Sequence, residues 1–87
     1  MRHARPEDLD KLEPLLARLR RMGGMKEKSR GTFYRGSRAF LHFHEHEGGF
    51  FADVRLDPAE DFERLPATSA AEKKALLGAV EKALRAS

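Results

Sequence analysis

Apolar residues fall at two different periods along this chain, and the change between them divides it into three parts. Leu9, Leu12, Leu15, Leu16, Leu19 and Met22 recur every three or four positions, the stripe of an amphipathic helix over residues 7–22. From Thr32 to Leu56 the period drops to two. Runs at Thr32–Arg35, Arg38–Glu47 and Phe50–Leu56 are separated by Gly36-Ser37 and Gly48-Gly49, the pattern of two successive hairpins. After Ser69 the helical spacing returns in Leu76, Leu77, Val80, Ala83 and Leu84.

Local signals bound these elements. Pro6 suits a first helical position, and Glu7, Asp8 and Asp10 favour the positive end of the helix dipole. Gly23-Gly24 marks the helix end, with Arg18, Arg20 and Arg21 in its last turns. Pro14 predicts either a kink or a helix that holds only from about Asp10. Met25 to Arg30 reads as a basic loop. Ser69 and Glu72 form a capping box opening a helix to about Arg85. Residues 58–66 suit a short helix or, preferably, a fourth strand from Phe62 to Ala67.

Placing Gly48-Gly49 at the turn centre sorts the side chains by face. Leu41, Phe43, Phe50, Ala52, Val54 and Leu56 share one surface, and Phe40, His42, His44, His46, Phe51, Asp53 and Arg55 share the other. This register sets His44 opposite Asp53. A turn at Gly36-Ser37 adds Phe33 and Arg35 to the histidine surface. The predicted fold is α+β: an N-terminal helix, an antiparallel meander of three to four strands and a C-terminal helix. Both helices are expected on the aliphatic face, leaving the histidine face open.

Eighty-seven residues suit a single domain, 1–87, with one modest core. Without cysteine there is no disulfide, thiolate ligand or cysteine nucleophile. No apolar run reaches the roughly 20 residues of a membrane span, and no signal-peptide core is evident, so a cytoplasmic protein without membrane contact is expected. The net charge of +3 hides a polarity: +6 over residues 1–38, −5 over 39–67 and +2 over 68–87. That distribution suits self-association or an acidic partner as well as nucleic acid.

The opening Arg5-Pro6-Glu7-Asp8-Leu9 resembles the first helix of acyl-CoA-dependent N-acetyltransferases. The family's pyrophosphate-binding Arg/Gln-x-x-Gly-x-Gly/Ala signature is missing and the chain is short for that fold, which excludes it. No nucleophile motif or phosphate-binding glycine loop occurs, so a non-enzymatic binding or assembly module is expected.

Candidate function therefore centres on the open face, carried by Phe33, Arg35, Arg38, Phe40, His42, His44, Phe51, Asp53 and Arg55. Three exposed phenylalanines there predict a homodimer seam. Arginines around aromatics on a sheet also suit single-stranded nucleic acid. His42 and His44 with Asp53 have the strand geometry of a zinc site, although the same alternation suits a solvated face. With Cα atoms about 13 Å apart, His42 and His46 do not easily share one ion, so the alternative site is His44 and His46 with a residue from elsewhere.

Overall fold

The computed structural model describes residues 1–86. Eight elements follow in order: β1 (Arg2–His3), α1 (Pro6–Arg20), β2 (Lys26–Ser29), β3 (Thr32–Arg35), β4 (Arg38–His46), β5 (Gly49–Val54), β6 (Glu63–Pro66) and α2 (Ala70–Arg85). The six strands form one antiparallel sheet in the order β2-β3-β4-β5-β6, and β1 pairs with the Glu45/His44 end of β4. The fold is α+β, with more strands than the hairpin pattern predicts. Residues Glu63–Pro66 are strand rather than helix, and the expected loop before Thr32 contains β2.

Leucine spacing makes α1 pack as one stripe. Leu12, Leu16 and Leu19 are fully buried and Leu9 and Leu15 nearly so, each contributing about 1.5–3 kcal/mol by leaving water. Pro14 neither breaks the helix nor delays its start: α1 is continuous from Pro6, with Pro14 inside it. The ring lies on the exposed side, and the buried leucines on both sides of it outweigh one lost backbone hydrogen bond. At the start of α1, Asp8 Oδ2 accepts from the Arg5 N–H at 2.9 Å and from Arg2 at 2.7 Å. In α2, Ser69 Oγ accepts from Glu72 N, and Glu72 Oε1 accepts from Ser69 N, completing the capping box.

The apolar stripes of both helices join Leu41, Phe43, Ala52 and Val54 in one hydrophobic cluster. Two details of the sheet differ from the sequence expectation. The β4–β5 turn centres on Glu47-Gly48, since His46 pairs with Gly49. Both residues have positive φ, 51° and 81°, as a type I′ hairpin turn requires. The Gly48 N–H donates to Glu45 Oε2 at 2.7 Å, holding the turn there. The pairing therefore shifts by two residues, which preserves both faces but changes the partners. His42, not His44, is directly opposite Asp53.

The second difference is a bulge between β3 and β4. Tyr34 pairs with Ala39 but Phe33 pairs with Leu41, so Phe40 is the extra residue. Phe33 thereby joins the Leu41 side, and Phe33 and Phe40 are only 1% and 2% exposed. Neither ring lies on an open surface as the unbulged register predicts. The β2–β3 hairpin turns at Gly31, whose φ is 81° and where an added Cβ would sit 2.7 Å from Leu9 Cδ2. That glycine lets the hairpin close on α1. Arg30 then bonds Asp10 and Glu13, and Arg20 pairs with Glu13 and Glu27. Most of the acids of the first segment are thus engaged by Arg20 and Arg30, and the segment's net positive charge remains.

Candidate functional site

Strand β4 aims His42 and His44 to one side, and β5 brings Asp53 between them. The carboxylate is the hub. Its Oδ2 is 2.9 Å from His44 Nε2 and 3.4 Å from His42 Nε2. Ligand atoms of the three residues all lie within 4.8 Å of one another. From β6, Arg64 approaches the opposite edge, with Nε 2.8 Å from Oδ1 and Nη2 3.0 Å from Oδ2.

His44 and Asp53 are each 8% exposed, so this is a partly dry cluster rather than a solvated strand face. Arg64's hydrogen bonds are the main cause holding the Asp53 carboxyl below its ordinary range, and the neighbouring histidines add to it. Burial is the main cause lowering His42, reinforced by repulsion from His44. Both effects favour the states a metal ion needs: ionised carboxylate and neutral imidazole.

One buried polar atom lacks a hydrogen bond. Among the described residues, His44 Nε2 is the buried side-chain nitrogen or oxygen without a partner. Its 2.9 Å approach to Asp53 Oδ2 satisfies an ion-pair distance, but the alignment is not that of a hydrogen bond. An imidazole nitrogen in this position costs about 1–3 kcal/mol when nothing accepts or donates to it.

Two further rings complete the surroundings. His3 of β1 stands opposite His44 in the ladder, with its ring centroid 4.8 Å from that of His44 and 5.8 Å from that of His42. Phe62 meets His42 edge-on at 4.9 Å. Arg2 fixes β1 in place by bridging Asp8 of α1 and Glu45 of β4. His46 lies apart, exposed and 3.6 Å from Glu47.

The structure thus brings together His42, His44 and Asp53. Phe51, opposite His44, is half-buried beside them. Phe33 and Phe40 belong to the core cluster, which leaves a seam built on them without surface rings. Arg35, Arg38 and Arg55 gather instead around a separate cavity with Ala39, Phe40 and Pro58. Sequence reasoning missed His3 and Arg64. Extending the meander register into the fourth strand sets Arg64 opposite Asp53 and would have found it. A two-residue strand such as β1 carries no periodic signal.

Among the described residues, no helix is long and apolar enough to cross a membrane. Comparisons with protein-family models, with curated proteins and with solved structures give no match.

Proposed function

We propose that this protein is a small metal-binding module that takes one zinc-class divalent ion through His42 Nε2, His44 Nε2 and Asp53 Oδ2. The observation carrying this reading is the buried His44 Nε2, which makes no aligned hydrogen bond and has two further ligand atoms beside it. Bonds of about 2.0–2.2 Å to nitrogen and oxygen in a tetrahedral site separate the ligand atoms by roughly 3.3 Å. The two Nε2–Oδ2 distances, 2.9 and 3.4 Å, bracket that value. Two imidazoles and a carboxylate suit zinc and its late first-row neighbours better than magnesium or calcium, which favour all-oxygen sites.

Arg64 has a defined place in this arrangement. Its Nε bond to Oδ1 sets the direction of the carboxylate, while its positive charge opposes the ion. Its Nη2 contact to Oδ2 competes with the ion and must be released. Solvent or His3 takes the fourth position.

Thermal unfolding with added zinc tests the reading. At a hundredfold excess over Kd, a ligand specific to the folded state adds about 2.7 kcal/mol, which is roughly 10 °C or more for a chain this size. His44→Ala and Asp53→Ala are expected to remove most of the rise, and His46→Ala to leave it intact. A rise that survives His44→Ala, or vanishes with His46→Ala, contradicts the assignment.

A further inference from the structure

A second, chemically different site lies on the Arg38–Phe40 stretch of β4. A cavity of about 250 Å³ is lined by Arg35, Arg38, Ala39, Phe40, Arg55 and Pro58. We propose that it binds a small organic anion, a carboxylate or phosphate group carried on a flat apolar body.

The argument rests on how the guanidinium groups are held. Arg38 Nη1 donates to the Pro58 carbonyl at 2.8 Å. Arg55 Nη1 donates to the Glu60 carbonyl at 2.8 Å, and its Nε makes a longer contact, 3.4 Å, with the Ala39 carbonyl. These bonds are to neutral main-chain acceptors. They fix the two side chains in direction but leave their charges uncompensated, and neither enters an ion pair among the described residues. This contrasts with Arg2, Arg20, Arg30 and Arg64, each of which meets at least one carboxylate. Arginine fixed by one edge presents its remaining N–H groups in a planar fork suited to carboxylate or phosphate.

The rest of the lining selects for an apolar body. The Arg35 guanidinium lies 5.5 Å from the Phe40 ring centroid, and that of Arg55 lies 4.4 Å from the Phe62 ring. Stacked arginines present a flat face as well as a charge. Phe40, Ala39 and Pro58 offer no side-chain hydrogen-bonding group. Charge at the rim over an apolar floor is the usual division of labour in a small-molecule pocket. The volume accommodates a single ring with its acidic group rather than a dinucleotide. Asp57, next to Pro58 in sequence, accepts from the Ala59 N–H at 2.9 Å and pairs with neither Arg38 nor Arg55 among the described residues.

The bulge that buries Phe40 makes this site. It places the ring beneath Arg35 instead of leaving it on the open face, and so provides a pocket floor.

The test is a titration of metal-free protein with phenyl phosphate, benzoate and inorganic phosphate, followed by amide NMR shifts. Saturable shifts at Arg38, Ala39 and Phe40 are expected with phenyl phosphate, which should bind about tenfold more tightly than inorganic phosphate. Arg38→Gln is expected to weaken binding about tenfold and Arg38→Lys by less, because lysine keeps the charge but loses the fork. Lys82→Gln, on exposed α2 surface, is expected to change nothing. Circular dichroism establishes that each variant is folded. Equal binding of phenyl and inorganic phosphate overturns the proposal, as does binding indifferent to Arg38→Gln. A single-stranded oligonucleotide that outcompetes phenyl phosphate at the same amides overturns it in favour of a polymer. Zinc is absent throughout, so the outcome is independent of the metal reading.

Discussion

Replacing His44 by leucine is expected to stabilise the metal-free protein while abolishing its response to zinc. His44 is 8% exposed and its Nε2 has no hydrogen bond. Leucine fills a similar volume without a polar atom to desolvate. Removing an unsatisfied buried group returns about 1–3 kcal/mol, from which some favourable contact with Asp53 must be subtracted. Asp53 keeps both bonds from Arg64, so the substitution does not strand the carboxylate. A net gain of about 1 kcal/mol is expected, equivalent to roughly 4–8 °C in a domain of this size. Urea unfolding at pH 8 with chelator present measures it, since free imidazole is neutral there. A site kept for binding at the expense of stability behaves in this way. A loss of 1 kcal/mol or more in the leucine variant would refute the reasoning, because His44 would then be holding the fold together through Asp53.

Three other outcomes follow from the same geometry. Phe40→Asp should unfold the protein rather than yield a folded variant, since a charge placed at a 2%-exposed position costs more than about 4 kcal/mol; circular dichroism that shows a folded chain would contradict the buried ring. Arg64→Ala should tighten zinc binding about tenfold, because a doubly charged ion about 6 Å from a guanidinium is repelled by roughly 1.4 kcal/mol even in a water-like dielectric; calorimetric titration of the two proteins decides. The metal-free protein should lose stability in two stages on acidification. Burial lowers the folded pKa of His42, and hydrogen bonds lower those of Asp8 and Asp53, so in each case the unfolded chain binds more protons. The first stage begins as pH falls through the ordinary histidine value near 6.5, and the second below about 4. Urea midpoints across pH 8 to 3 read both stages, and His42→Ala should remove only the first.

How far the sequence alone leads depends on how local each signal is. The Ser69/Glu72 box and the leucine stripe of α1 involve residues a turn apart, and both elements form where the spacing places them. Alternation assigned the faces of β5 and of β4 from Leu41 onward correctly even though the turn sits on Glu47-Gly48, because a shift of two residues leaves a period of two unchanged. The same shift changed which histidine faces Asp53, so the ligand trio was legible while its pairing was not. The bulge at Phe40 is announced by no glycine or proline, and it decides that Phe33 and Phe40 are interior. His3 reaches the site through a two-residue strand, held by Arg2 contacts to nearby Asp8 and to Glu45, the second of which lies beyond any local pattern.

The central claim is that His42 and His44 ligate one ion through their Nε2 atoms with Asp53. Two-dimensional NMR of the imidazole nitrogens, recorded while zinc is added to one equivalent per chain, tests it most directly. The account predicts that the Nε2 signals of His42 and His44 move together and stop at one equivalent, while those of His46 stay fixed. Signals of His42 and His44 that remain unmoved at one equivalent, or a response led by His46, would contradict it.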